Sequence, residues 1–431
     1  MRAGSDFLDF PREVGFNATR STPMPHRLRI AAFSCLLLAC AGVLPGAPGK
    51  VISVAPVETL SPADIDRLEA GLFIDVPAPK ALFTVDAFLL RVESTYLDGK
   101  PTPVTVQVFV PRYEDKGKRS VYVFAPGSTG LRDACRPSRE HLAGIHWGLY
   151  RTHVLAHVGQ GSIGVLPDYM GFGDPDPAHL QPYMHAVAEG RMLLDVARAV
   201  EEFIGETAKA TVSGVSLFFA GFSQGGHAAF AAADMRARYA REVRIAGIIG
   251  YGPSTDVVAL FREFPMVAPM AIYTYSKIYG TDRFDPEAIL APHWARTLEK
   301  DVTRQCVGGM QSYYPSSPRE LFRPEFADAL LKGTLEQEYP EIFAVLRENS
   351  TGLSGHRIPA LVLEGSDDVV VSVKSQEAFV RELCRTGSAV RYSLYKGRRH
   401  DTRQIGFGEA REWMEGITRG EKPQSNCGSL K

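Results

Sequence analysis

The chain has 431 residues, 45% of them hydrophobic and 23% charged, a balance that fits a soluble globular protein with one large core or two smaller ones and excludes a disordered or fibrous chain. Its 48 Lys plus Arg offset 49 Asp plus Glu to a formal net charge of -1. No field is therefore available to gather nucleic acid or anionic lipid, and no nucleic-acid partner is expected.

In chain order, the first feature is Arg27 and Arg29 ahead of an almost wholly apolar run from Ile30 to Leu44, which breaks at Pro45-Gly46-Ala47-Pro48. This is the pattern of an export signal. The run is about 15 residues, short of the roughly 20 that a helix needs to cross a bilayer. Residues 1 to 47 thus read as an N-terminal extension and signal peptide of a secreted or cell-envelope protein. The polar residues 1 to 23 sit awkwardly upstream of it, and the pattern would be more regular with a start at Met24. Leu37-Leu38-Ala39-Cys40 resembles a bacterial lipobox with an atypical Leu at its second position. Acylation there would give a lipoprotein anchored at Cys40; cleavage near Ala47 is the alternative. With Cys35 and Cys40 assigned to this segment, Cys135, Cys306, Cys384 and Cys427 remain in the mature chain. That is an even number in an oxidising compartment, three connectivities exist, and the spacing selects none of them. It is not a metal-binding spacing, and no metal is expected.

Eight short runs rich in β-branched and aromatic residues follow: Thr84 to Val92, Val104 to Val110, Val121 to Ala125, Ile163 to Pro167, Val215 to Ala220, Ile245 to Ile249, Ala360 to Leu363 and Val390 to Leu394. The first two read as a hairpin through Asp98-Gly99-Lys100-Pro101. The later ones alternate with helix-length segments, the signature of a mostly parallel sheet with crossover helices on both faces. One such helix carries Leu193, Val196, Ala197, Val200, Phe203 and Ile204 on one face, with Arg191, Asp195, Glu201 and Glu202 on the other. Further helices are expected over Gln224 to Tyr239, Gln376 to Cys384 and Glu409 to Met414. His153 and His157 stand four apart, but with no Glu partner or third ligand nearby they read as ordinary helix residues.

Between Pro253 and His356 the text turns Pro- and aromatic-rich and helical, with no buried-strand run. The expected organisation is a discontinuous catalytic domain, residues 50 to 252 plus 357 to 431, with a helical cap or lid inserted at 253 to 356.

Gly221-Phe222-Ser223-Gln224-Gly225 is the single Gly-x-Ser-x-Gly in the chain. An apolar run, Val215 to Ala220, leads in, and a helix-compatible segment from His227 to Ala233 leads out. Strand, sharp turn and helix are what a nucleophile elbow requires. A serine hydroxyl is a weak nucleophile near neutral pH, so a base and an orienting acid must follow it. Asp368 lies in the turn after the strand ending at Leu363, in a Gly-x-x-Asp-x-x-Val spacing from Gly365, with Asp367 and Glu364 as neighbouring alternatives. His400 ends the loop after the strand Val390 to Leu394 and is the expected base. For an oxyanion, the candidate donors are the backbone N-H of Gln224 at the helix start and the loop Pro126-Gly127-Ser128-Thr129-Gly130, with Ser128 and Thr129.

Taken in order, Gly127-Ser128-Thr129-Gly130, Cys135-Arg136-Pro137-Ser138, Pro167-Asp168-Tyr169-Met170-Gly171-Phe172-Gly173, the elbow, and the Asp368 and His400 loops resemble the secretory lipase family, the lipase-A-like branch of the α/β-hydrolases. The likeness runs from about residue 85 to the C-terminus. It implies an α/β-hydrolase fold, a triad of Ser223, Asp368 and His400, no cofactor, and secreted esterases acting on acylglycerols or other carboxylic esters. It also implies two disulfides, Cys135 with Cys306 and Cys384 with Cys427. Where many relatives carry His-Gly in the oxyanion loop, this chain has Pro126-Gly127.

The expectation is an exported serine hydrolase that cleaves lipid or small-molecule esters through an acyl-enzyme, with contact to a lipid interface. A serine peptidase of the same fold, or a catalytically silent binding protein, are the alternatives. The sequence sets no oligomeric state.

Overall fold

The computed structural model describes residues 47 to 140 and 148 to 430, so the expected signal segment up to residue 46, with Cys40, lies outside the described residues. Residues Pro45–Lys431 group as one unit built on a nine-stranded sheet. The strands are β1 (Val51–Leu60), β2 (Val85–Thr95), β3 (Pro101–Pro111), β4 (Gly117–Ala125), β5 (Ile163–Pro167), β6 (Val212–Phe222), β7 (Ile245–Tyr251), β8 (Ala360–Gly365) and β9 (Val390–Tyr395). Their order across the sheet is β1-β2-β3-β5-β4-β6-β7-β8-β9. The first three pairings are antiparallel and the remaining five parallel.

All eight expected strands are present, and the hairpin turns at Gly99 with φ +85. The count of eight is corrected to nine by β1. Its sequence holds Pro56, which removes a ladder donor and argues against a central strand. On the sheet edge that donor is not needed, and β1 pairs only with β2, with register shifts between Val51 and Ser53 and between Pro56 and Glu58. Ile52, Val54 and Val57 remain exposed there, so the strand lacks the buried alternation that would have marked it.

Helix α1 (Pro62–Glu69) follows β1, α2 (Tyr150–Gly159) precedes β5, α3 (Ala186–Thr207) links β5 to β6, and α4 (Gln224–Tyr239) links β6 to β7. The six apolar residues expected to bury on α3 are all buried against one sheet face, together with Val106, Val123 and Phe219. The opposite face is covered by α2 and the helix Phe407–Thr418, which pack on Phe124, Phe218 and Leu361. Between β7 and β8 lie α5 (Val257–Glu263) and eight further α-helices, from Ala268–Tyr279 to Pro340–Glu348, with a hydrophobic cluster of their own. Two disulfides, Cys135–Cys306 and Cys384–Cys427, are the pairs the family resemblance implied. The first ties the helical segment to the loop after β4, where Val307 N also donates to Thr129 O at 2.8 Å.

His153 and His157 are fully buried on α2 under the sheet. Tyr122 OH lies 2.8 Å from His153 Nε2, and the His157 ring stacks on Tyr122 with centroids 4.1 Å apart. Neither ring nitrogen of His157 has a hydrogen-bond partner among the described residues. Burial, reinforced by the charge of Arg411, pushes its imidazole down to about 3 from an ordinary 6.5. The folded state keeps this ring neutral while the unfolded chain binds a proton below 6.5, so stability present above that pH is lost as pH falls toward 3. The expected cost is about 3 kcal/mol at pH 4. Urea midpoints should therefore fall steadily across that range, and His157→Leu should flatten the decline; an unchanged decline would show that His157 does not drive it.

Candidate active site

The β6–α4 corner is tighter than any ordinary strand-to-helix turn. A Cβ on Gly221 would lie 2.0 Å from the carbonyl carbon of Gly225, and one on Gly225 would lie 1.9 Å from Ala125 O. Only glycine lets the first turn of α4 pass this close to the ends of β4 and β6. Ser223, between them, takes φ 54 and ψ -114, one of four non-glycine residues with positive φ among those described. The strain is held by three backbone hydrogen bonds: Ser223 N to Tyr251 O, Ser254 N to Ser223 O and His227 N to Ser223 O.

Asp368 and His400 are brought together by the ends of β8 and β9. Gly365 closes β8 where a Cβ would lie 2.2 Å from Arg399 O, and Asp367 N donates to Arg398 O at 2.8 Å. The two loops are thereby fastened side by side. His400 Nδ1 donates to Asp368 Oδ2 at 2.7 Å, while Asp368 Oδ1 accepts from Val370 N and Val371 N at 2.7 and 3.0 Å. A carboxylate acceptor at Nδ1 places the neutral ring's hydrogen there and leaves the Nε2 lone pair free. Nε2 is buried and has no partner among the described residues. Burial alone would raise the Asp368 carboxyl, but the bond and charge of His400, then the hydrogen bond from Glu364 and the Val371 N-H, outweigh it and hold the group below its ordinary range. Asp367 points to solvent and bonds Ser366. Glu364 is fully buried below, where burial and then the Asp368 carboxylate push it up to about 11.

Ser223 and His400 line one pocket of about 130 Å³. Ser223 Oγ lies 3.4 Å from Ser254 Oγ and makes no hydrogen bond to His400 in this state; such bonds often tighten only around a bound substrate. Gln224 and Ser128 line the same pocket, whereas Thr129 does not. Ser128 Oγ is 2.8 Å from Tyr183 OH. Thr129 is buried with its hydroxyl unpartnered, and its carbonyl faces the helical segment. As the first residue of α4, Gln224 carries an N-H that no helical carbonyl can accept. Its side chain is turned away into the interior, donating to Glu189 Oε1 at 2.7 Å. Glu189 also accepts from Met184 N and bonds His227 Nδ1 at 2.5 Å, so one buried carboxylate steadies the helix that carries Gln224. The outer wall is apolar, formed by Leu260, Phe264, Val267 and Val307 of the helical segment. A serine hydroxyl, a free imidazole nitrogen held by a carboxylate, and helix-start N-H groups can together perform acyl transfer.

Ser254, Tyr183, Glu189 and Arg403 escape the sequence reading. Ser254 follows β7 in Gly252-Pro253-Ser254, where nothing local marks it, and Glu189 looks like any helix carboxylate. Arg403 sits three residues past His400, a position from which a loop-anchoring role could have been asked.

The family model described as Serine aminopeptidase, S33, matches residues 141–404, more than half of the chain. Among curated proteins, the chain is 25% identical over 367 residues to "Secreted triacylglycerol lipase LIP7" of Malassezia globosa, covering 80% of this chain and 71% of that one. It is 26% identical over 332 residues to "Lipase A" of Arthroderma benhamiae, covering 73% of this chain and 66% of that one. Among solved structures, the cell wall degrading esterase LipA of Xanthomonas oryzae superposes with a TM-score of 0.68 at 18% identity, over 87% of this chain and 97% of that one. Candida antarctica lipase A in its closed state gives a TM-score of 0.63 at 20% identity, over 89% and 85%. These likenesses establish the α/β-hydrolase fold, with the lipase-A-like branch as the matching group.

Because Gly225 meets backbone and Gly205, in α3, has nothing within 4 Å of an added Cβ, two alanine substitutions should diverge. Gly205→Ala should hold or raise the thermal midpoint, and Gly225→Ala should lower it by about 5 °C or more, on the order of 4 kcal/mol for a chain of this size. Equal midpoints would mean that α4 does not need its close approach.

Proposed function

The chain belongs to the family described as Serine aminopeptidase, S33, and on that footing we propose that it is an exported carboxylic ester hydrolase acting on acylglycerols or related lipid esters. Ser223 is the nucleophile, His400 the general base and Asp368 the group that orients His400 and steadies its charge. His400 Nε2 takes the Ser223 proton as Oγ attacks the ester carbonyl. The oxyanion forms in front of the Gln224 N-H and the Ser128 loop, and His400 returns the proton to the leaving alcohol. Water, activated by the same imidazole, then releases the acid from the acyl-enzyme.

The observation that carries this reading is the pocket lining: Ser223 and His400 share it with an apolar wall, and among the described residues no Asp or Glu lines the pocket. An aminopeptidase must bind the α-ammonium of its substrate, which calls for a carboxylate within reach. The family description keeps peptide cleavage as the second reading, and the absence of a pocket carboxylate among the described residues disfavours it. The names of the secreted triacylglycerol lipase of Malassezia globosa and of the Arthroderma benhamiae lipase support the lipid-ester choice. In this proposal, residues 253 to 356 act as a cap whose apolar residues receive the acyl chain. Export rests on the N-terminal segment and fits the two disulfides, with Cys40 as the residue that would carry a lipid anchor.

The test is hydrolysis of p-nitrophenyl esters from acetate to palmitate, beside amino-acid p-nitroanilides, by the purified mature chain. Ester cleavage with a preference for longer chains is expected, and Ser223→Ala should lower kcat by about 10⁴ to 10⁶. Anilide cleavage with inert esters would select the peptidase, and a fully active Ser223→Ala would remove the serine mechanism.

Asp368→Asn keeps the size of the side chain but removes the charge. A fall in kcat of about 10² to 10⁴ with little change in KM is expected. Should Asp367→Asn produce that loss instead, the orienting acid has been misassigned.

A further inference from the structure

The antiparallel end of the sheet has one face covered and one partly open. Leu90, Val92, Val104, Val106 and Val108 point into the core beneath α3. Their neighbours point the other way and stand side by side in register: Ala87 opposite Phe109, Leu89 opposite Gln107, and Arg91 opposite Thr105. Further along this face, α2 and the helix Phe407–Thr418 cover the sheet, but the cover stops at Arg151 of α2. Beyond it the strands form the floor of a cavity of about 330 Å³, roofed by Arg136, Ser138 and Arg139. That size falls in the range of small-molecule sites. Among the described residues, the cavity shares no lining residue with the Ser223 pocket.

Its polar groups are donors looking for an acceptor. Gln107 and Arg151 are each 6% exposed, and Gln107 Nε2 and Arg151 Nε have no partner among the described residues. Arg136 Nε is likewise buried and unpartnered. A buried N-H without an acceptor is costly to leave unmade, and the three residues that carry these groups all line one cavity, which favours an anion there. The charge balance agrees. Four guanidiniums, Arg91, Arg136, Arg139 and Arg151, line the cavity with a single carboxylate, Glu58, which pairs with Arg151 at 2.5 Å. Arg136 is paired with Asp133 at 3.2 Å, Arg139 comes no nearer than 3.7 Å to the same carboxylate, and Arg91 has no ion pair among the described residues. Apart from Thr105 and Ser138, the rest of the lining is apolar: Val57, Ala87, Phe88, Leu89 and Phe109.

We propose that this cavity is a second ligand site, which takes a free alkyl carboxylate with its head against Arg91, Arg139 and the buried Gln107 and Arg151 nitrogens and its chain along Leu89, Phe109 and Val57. Although Arg139 is half exposed, Gln107 and Arg151 are each 6% exposed and beyond the reach of a headgroup still embedded in a bilayer, so the occupant is a free fatty acid. Only the supply of that ligand rests on the ester-hydrolase reading, since a fatty acid is what lipid-ester cleavage releases; the site itself does not.

Dodecanoate is titrated calorimetrically into the full mature chain carrying Ser223→Ala, so that binding is read without turnover. Micromolar binding is expected, weakened at least tenfold by adding Arg91→Ala with Arg139→Ala, and weakened similarly by Leu89→Trp, which fills the floor without touching a charge. Dodecanol and inorganic phosphate alone should bind at least tenfold more weakly than dodecanoate. Undiminished affinity in both variants would place the ligand elsewhere and overturn the proposal. So would equal binding of dodecanol, of phosphate alone, or binding seen only to vesicles containing anionic phosphatidylglycerol. With Ser223 restored, Arg91→Ala with Arg139→Ala should leave p-nitrophenyl ester hydrolysis unchanged. Loss of all hydrolysis by the unsubstituted chain would count against the proposed activity, while the calorimetry would still decide the site.

Discussion

The close passage of the first turn of α4 over the ends of β4 and β6 is the constraint on which the site depends. With Gly225 against Ala125 O and Gly221 against Gly225, the chain has no room to relax at Ser223, and its φ of 54 follows. Backbone strain of this kind costs of order 1–3 kcal/mol and persists only where the surroundings over-determine it. Here they do, because the peptide groups of Ser223 are bonded to Tyr251, Ser254 and His227. The same passage aims the start of α4 at the pocket, so one constraint both lifts the hydroxyl out of the sheet and sets N-H donors beside it.

Phe222 connects that corner to His400. Its ring lies between the imidazole of His400, 4.8 Å away, and the guanidinium of Arg403, also 4.8 Å away. Arg403 is 1% exposed, stacks on Tyr150, donates to Gly148 O at 2.7 Å and pairs with Asp401 at 2.5 Å. Burial works against its charge, yet the Asp401 carboxylate outweighs this and holds the guanidinium protonated. The loop that carries the imidazole is thus fixed on one side by its carboxylate partner and on the other by a buried ion pair packed on the residue before Ser223. Tyr150 extends the chain of contacts to Gly127, where a Cβ would meet its hydroxyl at 2.7 Å.

What could be read in the sequence was whatever is written locally. The strand, turn and helix around Ser223, the loop positions of Asp368 and His400, and the buried face of α3 each declare themselves within a few residues. What could not be read is settled by partners far along the chain. Glu189 meets Gln224 and His227 only after α3 and α4 pack together, and Ser254 reaches Ser223 only because β7 lies beside β6. Strand β1 was hidden for a different reason: Pro56 and an exposed outer face erase the period-two signal that an edge strand does not need. Cysteine pairing lies between these cases, since the spacing permits three arrangements and family likeness named the two bonds that the fold contains.

Three carboxyls lie within five positions of the chain, Glu364, Asp367 and Asp368, and their surroundings give them three different states. Asp367 is exposed and bonds its neighbour Ser366. Glu364 is fully buried and pushed up to about 11, first by burial and then by Asp368, so it is a neutral acid at any pH near 7. Asp368 is nearly as buried, yet His400 and two backbone N-H groups keep it ionised. A second negative charge behind His400 would raise the cost of ionising Asp368, because like charges in a shared low-dielectric site cannot both be held. Keeping Glu364 neutral leaves one carboxylate, bonded to one imidazole nitrogen, and that bond leaves the opposite nitrogen without a partner among the described residues, in a ring that lines the same pocket as Ser223.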